Sequence, residues 1–161
     1  MAGGTSAPPG RFGVPDERLP EHAWFAENSG DRLRPVAETQ PSAIGLYDMN
    51  GNAAEWTLDQ YDAAFYDSLA GSPLLNTDPW MRPVRLHPRT VRGGSYLSPR
   101  SELRCSNREE SSLRWKRRDP QIPKSFWWNT DSPFVGFRLV SPLDPPTPEE
   151  QEAFWRLVLG E

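Results

Sequence analysis

Eighteen prolines in 161 residues leave little room for long helices or central strands. Proline lacks the amide proton that both kinds of ladder use, and its ring fixes φ. Seven tryptophans stand beside them, and they must supply much of the buried area that a sparse aliphatic set cannot. The expected fold is loop-rich, its irregular segments pinned together by aromatic side chains. The length suits one domain with a modest core. The formal net charge of −4 gives no global pull towards nucleic acid or a membrane surface. No stretch has the length of a signal-peptide core or a membrane span, so a cytoplasmic location is the default expectation. A single cysteine, Cys105, excludes an internal disulfide and a multi-cysteine metal site.

Three regions follow from texture. Residues 1–20 are rich in Gly, Pro and Ser and read as a flexible or extended lead-in. Residues 21–143 alternate aromatics with turn residues and form the body. Residues 144–161 are a tail, in which "TPEEQEAFWRLVLGE" carries Thr147 as N-cap, Pro148 at the first helical position and Glu150 to close a capping box. A short amphipathic helix is expected there, ended by Gly160. Within the body, "TVRGGSYL" reads as a strand broken at Gly93 and Gly94, and "PFVGFRLVSPL" as a buried strand.

The stretch "GLYDMNGNAAEWTLD" is the densest in chemistry. Asn50-Gly51 favours a tight turn. Asp48 and Glu55 flank it, and a chain turning between two carboxylates can aim carbonyl oxygens inward, the all-oxygen shell that calcium takes. The same carboxylates can instead bond to nearby backbone, as short polar side chains in turns often do. Trp56 reads as a core aromatic beneath the turn.

In order along the chain, "NSGDRLRPV", "GLYDMNGNAAEWTLD", "VRGGSY", "RCSNR" and "VGFRLV" resemble the sulfatase-modifying factor family, which includes the formylglycine-generating enzyme. The resemblance runs from about Ala23 to Val140. It implies an α+β, C-type-lectin-like fold of the formylglycine-generating enzyme type, loop-rich and with little regular secondary structure, with residues 21–143 as the C-terminal part of the family's domain. It also implies a calcium site on Asp48, the Gly51 and Ala53 carbonyls and Glu55, and part of a second on Asn28 and Gly30. A partner chain or self-association is then expected to supply the missing N-terminal half.

Formylglycine-generating enzymes use two cysteines that hold copper(I), a soft ion suited to thiolates. Cys105 aligns with the second of that pair, and residues 98–103 offer no counterpart to the first. The resemblance therefore implies a scaffold without the catalytic pair, calcium-stabilised and binding a peptide or small ligand. The rival is a copper oxidase in which Cys105 works with a thiol from a partner chain. Read alone, Cys105 is a small buried apolar residue.

His22 and His87 lie 65 positions apart with no ligand spacing and read as surface or loop histidines. Arg114, Lys116, Arg117 and Arg118 beside Trp115, Trp127 and Trp128 have the composition of a single-strand nucleic-acid surface. The blander reading, a solvated loop edge pairing with Glu109, Glu110 and Asp119, is preferred, and nucleic acid is not an expected partner. The resemblance makes "DPQIPKSFWW" a structural motif, with Arg138 buried and paired. Asp59, Asp62 and Asp67 around Tyr61 and Tyr66 fit a polar cleft or a solvated loop equally well.

Overall fold

The computed structural model describes residues 14–70 and 80–159. Its regular elements are few: strands β1 (Ala54–Gln60), β2 (Arg89–Arg92), β3 (Glu109–Glu110) and β4 (Val135–Gly136), and helices α1 (Leu19–His22), α2 (Phe65–Ala70) and α3 (Pro148–Leu159). Short 3-10 turns cover Asp16–Arg18, Arg100–Glu102 and Leu113–Lys116. The strands form one sheet in the order β3-β2-β1-β4, and β1 runs parallel to β4 with Ala54 opposite Val135 and Glu55 opposite Gly136. The architecture is mixed α/β, and it is loop-rich as the proline content implies.

The chain divides into two compact units. The first holds the described residues up to Glu55, Val91–Arg108 and Phe134–Phe137. Its core is Leu19, Ala23, Phe25 and Leu103, all fully buried. Burying a side chain of the Leu or Phe kind contributes about 1.5–3 kcal/mol. Over Phe25 lies the Arg100 guanidinium, 5.2 Å from the ring centroid and 2.7 Å from Glu27. The lead-in expectation needs correcting here. Residues 1–13 lie outside the described chain, but Asp16–His22 is helical and Leu19 belongs to the core. The 3-10 turn and α1 bring Leu19 inward, which composition alone does not reveal.

The second unit holds Trp56–Thr90, Glu109–Pro133 and the described residues from Arg138. Trp56 is half-buried rather than a core residue, and meets Trp115 edge-on at 5.6 Å. Helix α3 opens with the expected capping box: the Thr147 amide donates to Glu150 Oε2 at 2.8 Å, and the Glu150 amide to Thr147 Oγ1 at 3.2 Å. Its Phe154 stacks on Trp80 at 5.9 Å, and Val158 is buried. The expected stop at Gly160 lies outside the described residues.

Gln60, 2% exposed, closes the end of β1 by accepting the Val84 and Arg85 amides at 3.0 Å each and donating to the Pro88 carbonyl. Just before α2, the Asp62 carboxylate accepts the Ala64 amide at 2.8 Å.

The "PFVGFRLVSPL" strand is much shorter than its alternation suggests. Only Val135–Gly136 pairs, while Phe137, Leu139, Val140 and Leu143 are exposed. The edge position of β4 explains this, since among the described strands only β1 lies beside it. Arg138 is likewise exposed, not buried.

Candidate functional site

The turn from Asp48 to Glu55 is wound tightly. Asp48, Gly51 and Asn52 all have positive φ, at 53°, 78° and 58°. Asn52, 3% exposed, is the hub that holds it. Its amide donates to the Trp24 carbonyl at 2.7 Å and its carbonyl accepts from Tyr96 at 2.7 Å. Its side chain reads both backbone groups of Arg34, accepting the amide at 3.0 Å and donating to the carbonyl at 3.1 Å. Gly51 donates to the Gly93 carbonyl at 3.0 Å. A carboxylate oxygen of Asp48 accepts the Ala37 amide at 2.8 Å, so the backbone bond considered for that residue is made.

Asn50 was not singled out from sequence as a ligand. It is 6% exposed, and its Oδ1 has no hydrogen-bond donor among the described residues. Buried amide oxygens are normally satisfied, so this one has the chemistry of a cation ligand. The only sequence signal for it is its place two residues after Asp48.

The second implied site is arranged differently. Asn28 Oδ1 accepts the Phe25 amide at 2.8 Å and Nδ2 donates to the Ala23 carbonyl at 2.9 Å, clamping the turn after α1. Next to it, Ser29 Oγ donates to the Tyr96 carbonyl at 2.8 Å, and Gly30 takes a φ of 67°. Asn28 Oδ1 thus uses one of its two lone pairs on a backbone amide. Among the described residues no three His, Cys, Asp or Glu side chains gather into a metal-binding group.

Cys105 is exposed, contrary to the buried reading of a lone cysteine. It follows the 3-10 turn at Arg100–Glu102, and the guanidinium of Arg92 donates to its carbonyl at 2.9 Å, which leaves the segment on the surface.

His87 sits in the loop before β2, one of the two positions expected of it, and is part-buried. Its Nδ1 lies 2.7 Å from Ser111 Oγ, which also accepts the Arg89 amide at 2.7 Å. Ser111 Oγ thus ties the His87 ring to the start of β2. Burial first, then the charges of Lys116 and Arg89, hold the pKa below the ordinary histidine value. The unfolded chain therefore takes up this proton more readily than the folded one. The contribution of a neutral His87 is complete above about pH 6.5 and falls away as the pH drops towards the lower folded value. Chemical denaturation as a function of pH should show this loss, and His87→Asn, which keeps a hydrogen-bonding partner for Ser111, should flatten it. An unchanged slope in the variant would assign the acid sensitivity elsewhere. His22 differs: its Nδ1 lies 3.1 Å from the carbonyls of Gln40 and Pro41, both acceptors, and so carries a proton.

The basic run also departs from expectation. Lys116 is buried and donates to backbone carbonyls, Arg118 pairs with Asp131 at 2.6 Å, and Asp119 accepts from Ser125 and Gln121. None of the pairings expected with Glu109 or Glu110 is what holds Lys116 or Arg118.

Residues 13–143 match the family model described as a sulfatase-modifying factor enzyme 1-like domain. The serine/threonine-protein kinase Pkn1 of Chlamydia trachomatis serovar L2 is 38% identical over 78 residues, 48% of this chain and 12% of that protein. Its namesake from Chlamydia pneumoniae is 36% identical over 77 residues, again 48% and 12%. The chain thus matches only about an eighth of the length of these relatives. Among solved structures, Treponema denticola variable protein 1 aligns at 26% identity over 61% of this chain and 33% of its own, with a TM-score of 0.47. PvdO from Pseudomonas aeruginosa aligns at 29% identity over 57% and 34%, with a TM-score of 0.45.

Proposed function

The chain belongs to the sulfatase-modifying factor enzyme 1-like domain family, and from that premise we propose that it is a non-catalytic recognition domain whose 48–55 turn is stabilised by calcium. The lectin-like arrangement implied by the family resemblance is part of this reading, as is a cleft that takes a peptide or small ligand. A partner chain or self-association belongs to it as well. Relatives named as serine/threonine kinases align over 12% of their length, which suits a segment that works beside another activity.

The observation that carries the calcium reading is the buried Asn50 Oδ1, which has no donor among the described residues and falls in sequence between Asp48 and Glu55. Asp48, Asn50, Glu55 and the Gly51 and Ala53 carbonyls form an all-oxygen set that fits a hard cation. Calcium bound there supplies charge neutralisation and a cross-link between the two ends of the turn. Copper(I) chemistry asks for a second sulfur, and Cys105 is the chain's one cysteine.

A ligand held only by the folded state stabilises it by about 2.7 kcal/mol at a hundredfold excess over Kd. For a chain of this size that is a rise in Tm of roughly 5–10 °C. Melting in calcium against a chelator should show this rise in the native chain and in Cys105→Ser. Asp48→Ala and Glu55→Gln should lose it. An equal rise in Asp48→Ala, or no rise in the native chain, sinks the reading.

A further inference from the structure

The loop from Leu113 to Trp128 uses buried polar groups to hold aromatic side chains out in water. Lys116 is 2% exposed, and its ammonium donates to the Ser125 and Phe126 carbonyls at 2.9 Å each and lies 3.4 Å from that of Trp128. Asp119, 4% exposed, accepts the Ser125 amide at 2.8 Å and its hydroxyl at 2.6 Å. On the turn so fixed, Phe126 and Trp127 are about three-quarters exposed, and Trp127 stacks on Trp128 at 6.1 Å and 14°. A slack loop could tuck these rings away, but one clamped by a buried lysine and aspartate cannot. Aromatic rings on pre-ordered backbone lose little freedom on binding, which makes them the anchors of recognition surfaces. Beside them Arg114 and Arg117 are exposed, and neither is paired with a carboxylate among the described residues.

The same chain carries the complement. Residues 141–152 hold Asp144, Glu149, Glu150 and Glu152 with no lysine or arginine. Residues 141–150 are all exposed, and Leu143 is 96% exposed. Pro142, Pro145 and Pro148 recur every third residue, with a bend at Leu143–Asp144 between the first two and the last opening α3. Exposed proline-rich segments dock on aromatic-lined surfaces. Here the aromatic surface is basic and the proline segment acidic.

We propose that the Pro142–Pro148 segment of one copy docks on the Phe126–Trp128 platform of a second copy, with Asp144 facing Arg114 and Arg117. Reciprocal exchange closes a two-fold dimer, and the second contact forms at high effective concentration once the first is made. The inference is independent of the calcium reading, because it uses none of residues 48–55.

Sedimentation equilibrium over micromolar to sub-millimolar chain should show a reversible dimer that high salt weakens. Trp127→Ala, Arg117→Glu and Asp144→Lys should each weaken it about tenfold or more, with the melting transition kept because all three side chains are exposed. A synthetic SPLDPPTPEE peptide should dissociate the dimer. Mixing the Arg117→Glu chain with the Asp144→Lys chain should restore dimers, since both exchanged contacts then pair opposite charges. That mixture keeps the test decisive even if Trp127→Ala disturbs the turn. A chain that stays monomeric throughout, a dimer indifferent to Trp127→Ala, or a mixture that stays monomeric overturns the proposal.

Discussion

Gly51→Ala is expected to be the most damaging single-methyl change in the chain, costing about 4 kcal/mol or more. A Cβ at position 51 would stand 2.1 Å from the Trp24 carbonyl oxygen and 2.9 Å from its carbon. Both are backbone atoms, and the Asn52 amide holds that carbonyl in place at 2.7 Å. Relief would have to break the Asn52 hub, which also ties in Arg34 and Tyr96. Gly45→Ala is the control. Gly45 has a similar φ of 81°, but its Cβ would meet nothing within 4 Å. It should cost only the left-handed penalty, roughly 1–2 kcal/mol. Urea unfolding of both variants separates steric contact from conformational preference. Equal losses would mean that the close approach to Trp24 does not exist.

Lys116→Met should cost on the order of 3 kcal/mol, because it leaves the Ser125 and Phe126 carbonyls without their donor. Methionine fills similar space, so the loss is one of hydrogen bonding and not of packing. Lys124 offers a matched comparison. It too donates to two carbonyls, those of Arg117 and Asp119, at 2.9 and 3.0 Å, but it is exposed. Water can replace it, and Lys124→Met should fall within about 0.5 kcal/mol of the native chain. The Lys116 variant should also become sensitive to protease between Asp119 and Trp128. Similar stabilities for the two variants would remove burial as the reason that Lys116 matters.

These contrasts show what kind of information the sequence carried. The Thr147–Glu150 capping box and the break at Gly93-Gly94 were legible because their causes lie within a few residues. The glycine of the Asn50-Gly51 turn was legible too, at a φ of 78°. The left-handed Asp48 and Asn52 were not, since they answer to Ala37 and to Trp24, Arg34 and Tyr96, far along the chain.

Errors ran the same way. Alternation in "GFRLV" marks apolar residues, but not whether a neighbouring strand exists to cover them. A basic run looks solvated until one of its lysines finds carbonyls ten residues downstream. A lone thiol looks like core filling until the turn before it leaves the segment exposed. For the candidate site, Asp48 and Glu55 came from spacing with the family resemblance. Asn50 could be recognised only from burial, because an amide in a turn has many possible partners and only packing reveals that one oxygen found none.

The most direct test of the recognition-domain account is calorimetric titration of calcium into the chelator-stripped chain, with Asp48→Ala titrated alongside. The account predicts saturable binding of one calcium per chain, lost in the variant while the variant remains folded. Absence of binding at millimolar calcium, or binding that Asp48→Ala leaves intact, would contradict it.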